Sequence, residues 1–162
     1  MASKNIPFSK IRRNSKNASN WVALGAKMKI WKLWSHDWCP KCNKQEDDWT
    51  HIICCSSQEG RVRWEQSIRK LEAQLSEIKT DPWITKFVPE MLSKWCKSTN
   101  LSNLLPRKIA HLAFASQNSI GWENMLAGQI GPEWRKIQSR YIKTHNTKID
   151  IEQWTRSFVR LL

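Results

Sequence analysis

Four of the five cysteines lie between Cys39 and Cys55, and a histidine lies among them. Cys39 and Cys42 are separated by two residues, and eight residues separate Cys42 from His51. Cys54 and Cys55 follow that histidine after two and three residues. Thiolates and imidazole nitrogens are the ligands that zinc takes in tetrahedral protein sites. The spacing therefore predicts a zinc site formed by Cys39, Cys42, His51 and one of the last two cysteines.

The spacing leaves two choices in this ligand set open. Either Cys54 or Cys55 can be the fourth ligand, and His36, three residues before Cys39, is an alternative histidine. Free thiols or a Cys39–Cys42 redox pair are competing interpretations, but a redox pair opens a helix and no helical pattern follows this one. With four protein ligands, Zn²⁺ would be a structural cofactor that folds the segment around it.

The chain is strongly basic and its charge is unevenly distributed. It has 27 Lys and Arg residues against 14 Asp and Glu, for a net charge of +13. Residues 1–30 contain seven basic residues and no acidic one. Because cations near phosphates release condensed counterions, the expected partner is a nucleic acid, DNA or RNA. The residues expected to contact it are Arg12, Arg13, Lys16, Lys27, Lys29, Lys41 and Lys44.

Other function classes find little support. The acidic residues form no plausible catalytic pair, there is no glycine-rich phosphate loop, and His111 and His145 stand alone on predicted helices. We therefore expect no enzymatic activity and no small-molecule substrate. There is no apolar run of about 18 residues and no secretory signal, which predicts no membrane partner. Clustered cysteines fit an intracellular protein, nuclear or cytoplasmic.

The rest of the chain shows helical periodicity. Apolar residues recur every three or four positions from Arg61 to about Thr80, which predicts an amphipathic helix. Asp81 and Pro82 then predict an N-cap and first residue of a second helix, which Pro89 should kink or split. Further helices are predicted to begin at Pro106, at Gly131-Pro132 and after Asp150.

The expected fold is mainly α, a helical array of about four to six helices preceded by a small Cys/His zinc knuckle. Its predicted parts are a flexible basic arm (1–20), a knuckle module with a leading helix (21–57) and a helical domain (58–162). Ile109, Leu112 and Ala113 should face inward on the third helix.

The glutamines and tryptophans of the chain need separate interpretation. Gln117 and Gln138 lie on faces that look inward, and we expect each to bind backbone groups in the core. The 11 tryptophans are spread through the chain, which favours core packing for most of them. Trp38 and Trp49 are candidates for stacking on unpaired bases, although packing over the zinc site is the interpretation we favour.

The segment CPKCNKQEDDWTHIICC resembles the zinc knuckle in the C-terminal part of reverse-transcriptase-bearing retroelement reading frames of the diatom-like algal type. The similarity continues through residues 12–162, and residues 13–34 resemble the family more weakly. The matching positions beyond the knuckle are Trp64, Leu71, Leu75, Thr80-Asp81-Pro82, Leu92, Trp95, Ser116–Trp122, Gly128, Trp134, Gln138, Tyr141 and Trp154.

This resemblance implies a ligand set of Cys39, Cys42, His51 and Cys55, with Cys54 at a variable position. The chain has no polymerase motif, paired metal-binding aspartates or nuclease motif, so the parent activity is not expected of it. The resemblance implies a non-catalytic accessory module that binds nucleic acid, with the polymerase portion of the parent element as another partner. The alternatives are a protein-interaction scaffold and a decayed retroelement fragment without independent activity.

Overall fold

The computed structural model describes residues 24–97 and 108–162, and eight helices lie in these two ranges. In chain order they are α1 (Gly25–Ile30), α2 (Trp49–Cys54), α3 (Gln58–Glu77), α4 (Pro82–Cys96), α5 (Lys108–Ile120), α6 (Trp122–Leu126), α7 (Pro132–Thr144) and α8 (Ile151–Leu161). The described residues contain no β-strand, only an isolated antiparallel bridge between Trp38 and Glu46. The predicted fold class, mainly helical with a Cys/His cluster before the array, is confirmed.

The chain divides into two compact units, one ending at Arg61 and the other spanning Val62–Leu162. We call them the N-terminal unit and the helical unit. The predicted arm (1–20) lies outside the described residues, as do residues 21–23 of the predicted leading helix. That helix is short: α1 begins at Gly25 and ends at Ile30.

Helix starts in the helical unit follow the sequence signals closely. Asp81 caps α4 by accepting a hydrogen bond from the Trp83 N–H at 2.7 Å, with Pro82 in the first turn. Asp150 caps α8 by accepting from the N–H groups of Glu152 and Gln153. These carboxylates satisfy N–H groups that have no partner within the helix.

Pro89 does not split α4, contrary to one of the two outcomes we expected for it. The helix runs without interruption from Pro82 to Cys96, although proline removes one of its hydrogen bonds. Val88 and Leu92 are both fully buried beside it. Burial of these neighbours offsets the cost of the proline.

One core of apolar side chains holds α3–α8. Its buried members are Leu71, Leu75, Ile84, Phe87, Val88, Met91, Leu92, Ala113, Phe114, Trp122, Met125, Trp134, Ile137, Trp154 and Phe158. The rings pack directly on one another: Trp83 stacks on Phe87 with centroids 4.4 Å apart, and Trp154 stacks on Phe158 at 4.9 Å. Core packing is therefore the role of several tryptophans, as predicted.

The inward face of α5 differs from the prediction. Ala113 is buried as expected, but Leu112 is 58% exposed, and Phe114 takes a place in the core. Ile109 lies where no side-chain environment is described. The reason is helical phase: Ala113, Phe114 and Gln117 share one face at three- and four-residue spacing, and Leu112 falls off it.

Two buried glutamines tie connections to helices, as predicted. The Gln117 amide donates to the carbonyl oxygens of Gly121 and Gln129, and its oxygen accepts from Gly131 N–H at 3.0 Å and Trp134 Nε1 at 3.2 Å. All four bonding positions of this fully buried side chain are thereby used.

Gln138 acts similarly at the α3–α4 corner. Its oxygen accepts from Asp81 N–H at 2.7 Å, and its amide donates to the Lys79 carbonyl at 3.1 Å. Lys79 has a φ of 54°, a left-handed conformation that ends α3. Trp154 Nε1 donates to Thr80 Oγ1 at 3.0 Å, so α7 and α8 both hold this corner.

Candidate metal centre

Three thiols and one imidazole converge in the N-terminal unit. One ligand atom from each of Cys39, Cys42, His51 and Cys55 lies within 4.8 Å of all the others. Cys39 Sγ is 3.9 Å from Cys55 Sγ, and Cys42 Sγ is 3.3 Å from His51 Nε2. These four side chains lie close enough to hold a metal ion.

A tight turn places the first two thiols. The Asn43 N–H donates to the Cys39 carbonyl at 2.8 Å, and the Cys39 N–H donates to the Gln45 carbonyl at 2.8 Å. Asn43 has a φ of 51°, a left-handed conformation that asparagine tolerates better than most residues. The chain thus reverses within the segment that carries Cys39 and Cys42.

Asp47 fastens this turn to α1. Its N–H donates to the Asp37 carbonyl at 2.6 Å, and its own carboxylate accepts from Gly25 N–H at 2.9 Å. A Cβ on Gly25 would lie 2.9 Å from Asp47 Cβ and 3.0 Å from the Asp37 carbonyl oxygen, so only glycine permits this approach. Asp47 is 7% exposed and belongs to the framework of the site.

The short helix α2 supplies the other pair of ligands. Asp48 caps it by accepting from the His51 N–H at 2.6 Å, which fixes the backbone of this residue. His51 is 7% exposed and Cys55, one residue beyond the helix, is 2% exposed. Ser57 Oγ lies 3.4 Å from Cys55 Sγ and accepts a hydrogen bond from Gly60 N–H at 3.1 Å.

The pKa values of two of the thiols shift in opposite directions. Burial raises the pKa of Cys39 above its ordinary value. Burial also opposes ionisation of Cys55, but hydrogen bonds from Ser57 and the neighbouring thiols outweigh it and lower the pKa of Cys55. A bound cation would favour ionisation of every thiol in this cluster.

Two of the six separations between donor atoms are close to the edges of a tetrahedral site. With metal–sulfur bonds of about 2.3 Å and metal–nitrogen bonds of about 2.0–2.1 Å, tetrahedral edges are about 3.8 Å between sulfurs and about 3.6 Å from sulfur to nitrogen. The observed 3.9 Å and 3.3 Å are close to these edges. Soft thiolates with imidazole suit zinc better than magnesium or calcium, which take oxygen ligands.

The alternative ligands do not join the group. Cys54 is the last residue of α2 and lies outside the cluster of donor atoms. His36 is exposed, and its ring faces Trp34 with centroids 5.7 Å apart. The turn after Cys39 and Cys42 is not a helix, unlike the segment that follows a redox CxxC pair, and both residues carry free thiols.

The predicted nucleic-acid contacts fall into three groups. Arg12, Arg13 and Lys16 lie outside the described residues. Lys29 forms an ion pair with Asp37 at 2.7 Å, and this ammonium lowers the pKa of the Asp37 carboxyl. Lys41 and Lys44 are exposed on the knuckle turn, and Lys27 is partly buried on α1.

Several large apolar residues of the N-terminal unit are exposed, which was not predicted for Ile30, Leu33 and Trp34. Ile30 is 67% exposed, Leu33 64%, Trp34 42% and Trp38 51%. Apolar residues at positions 21, 24, 28, 31 and 34 suggested a longer helix, and of the four exposed residues only Trp34 belongs to that set. The signal that could have corrected it is the scarcity of apolar residues in 37–58, which leaves the segment little to pack against.

None of the helices in the described ranges is both long enough and apolar enough to cross a membrane. Comparison of the chain with protein-family models, with curated proteins and with solved structures found no match. The geometry of the Cys/His group therefore carries the functional argument, and the retroelement resemblance stays an expectation based on the residues quoted for it.

Proposed function

We propose that this chain is a non-catalytic, zinc-stabilised module that binds nucleic acid, resembling the C-terminal part of a retroelement polyprotein. The observation that carries the proposal is the convergence of Cys39, Cys42, His51 and Cys55. Three thiolates and an imidazole fill the four positions of a tetrahedral zinc ion, which leaves no position open for substrate. The metal in such a site supplies folding free energy rather than catalysis.

The surface of the same unit supports nucleic acid as the partner. Lys41 and Lys44 are exposed on the knuckle turn and offer cations to phosphates. Trp34 and Trp38, which are near these lysines in sequence, are 42% and 51% exposed. Exposed indole rings can stack on unpaired bases. Lysines interspersed with exposed tryptophans favour a single-stranded ligand.

A protein partner is the second candidate, and one observation favours it. Ile30 and Leu33 are the most exposed large apolar residues on this surface, and neither can stack on a base. Apolar exposure of this kind also marks docking sites for proteins. The polymerase portion of a parent element is the partner this candidate would imply.

Native mass spectrometry of the purified chain tests the metal. We expect one zinc ion per chain, retained in the Cys54→Ser and His36→Ala variants and lost in Cys55→Ser and His51→Ala. The His36→Ala and His51→Ala variants are matched, because each removes one imidazole, the first outside the group and the second inside it. Absence of zinc from the wild-type chain would contradict the zinc-stabilised module.

Fluorescence anisotropy with a labelled single-stranded oligonucleotide tests the partner. We expect binding by the zinc-loaded chain to weaken steeply with salt, and to weaken in Trp38→Ala and in Lys41→Gln/Lys44→Gln. The exposed pair Arg69→Gln/Lys70→Gln on α3 is the control for loss of charge. Zinc binding without oligonucleotide binding would leave the protein-interaction candidate in its place.

A further inference from the structure

Helix α7 has one face in the core and one face in solvent. Trp134, Ile137 and Gln138 are buried on the first. The opposite face forms a surface pocket of about 490 Å³. Its lining residues are Pro132, Arg135, Lys136, Ser139, Arg140 and Lys143. Four of these six side chains are cationic and a fifth carries a hydroxyl, so the charge of the lining is positive.

Acidic residues neutralise only part of this charge. Arg135 pairs with Glu152 of α8, and Lys136 pairs with Glu133 at 2.7 Å. Arg140 and Lys143 have no ion pair within the described ranges, and both are exposed. The second half of the face therefore presents two cations whose charge is available to a ligand.

The spacing of the cations sets the size of the ligand. From Arg135 to Lys143 the helix advances eight residues, or about 12 Å at 1.5 Å per residue. A single phosphate cannot reach cations spread over this distance. Successive phosphates of a nucleic-acid strand can, because B-DNA carries a negative charge for every 3.4 Å of rise along each strand.

We propose that the outward face of α7 binds the phosphate backbone of double-stranded nucleic acid. The pocket contains no aromatic ring, so it offers nothing on which an unpaired base could stack. Arginine suits phosphate because its planar guanidinium can donate two hydrogen bonds at once, and Ser139 adds a further donor. This site goes beyond the function proposed above, since it uses different residues in the helical unit and requires no metal.

The test is a salt titration of duplex binding with the full, zinc-loaded chain. Anisotropy of a labelled duplex of about two helical turns gives the slope of log Kobs against log salt. Loss of two phosphate contacts in Arg140→Gln/Lys143→Gln should reduce the magnitude of this slope by about 1.8. Between about 50 and 200 mM salt, the variant should therefore lose about twelvefold less affinity than the wild-type chain.

Two variants serve as controls for this effect. Arg69→Gln/Lys70→Gln removes the same charge from an exposed face of α3 and should leave the slope unchanged. Arg140→Lys/Lys143→Arg keeps the charges and should also retain the slope. Both positions of the test variant are exposed, so its thermal unfolding should match that of the wild-type chain.

Several outcomes would overturn the proposal. An unchanged slope in Arg140→Gln/Lys143→Gln would show that these two residues do not contact phosphates. An equal decrease of the slope in the α3 control would show that the effect comes from the net charge of the chain and not from this face. Equal weakening of binding to polyglutamate would instead assign the face to an acidic protein. The Cys55→Ser chain separates the two functions: the α7 effect should persist there even if single-strand binding through the knuckle fails.

Discussion

The two units bury their tryptophans and aliphatic side chains to very different degrees. In the helical unit, Trp134, Trp154 and Phe158 are at most 1% exposed. In the N-terminal unit, Leu33 and Trp38 expose 64% and 51% of their surfaces. The buried apolar residues described there are Leu24, Cys39 and Cys55, and two of these three belong to the Cys/His group.

This difference indicates two sources of stability. The helical unit gains its folding free energy from packed apolar surface and from buried glutamines whose amide groups are hydrogen-bonded. The N-terminal unit has too small a core for that and uses polar turns, a capped helix and the Cys/His group. Small folds with such cores commonly depend on a metal.

Removal of the metal should produce the largest difference in stability between the two units. Chelation of zinc is expected to unfold residues 24–57, because structural zinc contributes about 10–16 kcal/mol in small zinc-finger peptides. Hydrogen exchange followed by mass spectrometry should then show lost protection at Cys39 and Asp47, whose N–H groups hold the knuckle turn. Amides of α7 and α8 should keep their protection. If the knuckle stays protected after chelation, the metal does not hold it.

A cavity in the core should produce the opposite pattern. Phe158→Ala removes a fully buried ring stacked on Trp154, and such truncations cost about 3–5 kcal/mol. Denaturant unfolding should report this loss for the helical unit, with zinc content unchanged by native mass spectrometry. Arg160→Ala, an exposed position on the same helix, is the control and should stay within about 0.5 kcal/mol of the wild type.

Replacing a buried amide should have a smaller effect. Gln117→Met keeps the length of the side chain but leaves Gly131 N–H and Trp134 Nε1 without an acceptor. Leaving buried donors unsatisfied costs about 1–3 kcal/mol, so we expect a loss of this order in the free energy of unfolding. Asn118→Met, on the exposed side of α5, should be nearly neutral. Equal stability of the two variants would show that Gln117 contributes little to the core.

Local signals predicted much of the helical unit. Caps at Asp81 and Asp150 and the proline at Pro82 fixed helix starts, since each acts on the first turn that follows it. The exposure of Leu112 and the continuity of α4 through Pro89 were predicted less well. Both depend on which neighbours pack against the helix, and the hydrophobic pattern of one segment does not contain that information.

The candidate site could be predicted only in part for a similar reason. The types and spacing of Cys39, Cys42 and His51 indicate a tetrahedral site because short loops between ligand pairs limit their geometry. They do not reveal Asp47, which holds the turn to α1 through Gly25 N–H, twenty-two residues away in sequence. A contact between distant segments has no local sequence signature.

The sequence by itself determined the composition of the Cys/His group, the charge of the chain, the helix caps and the helical character of the body. These properties depend on residue type and on neighbours within one or two turns. The tertiary structure decided which cysteine completes the group, because Cys54 and Cys55 differ by one residue but only Cys55 reaches the other donors. It also decided that Arg140 and Lys143 lie together on the outward face of α7, since burial of Trp134 and Ile137 fixes the rotation of that helix.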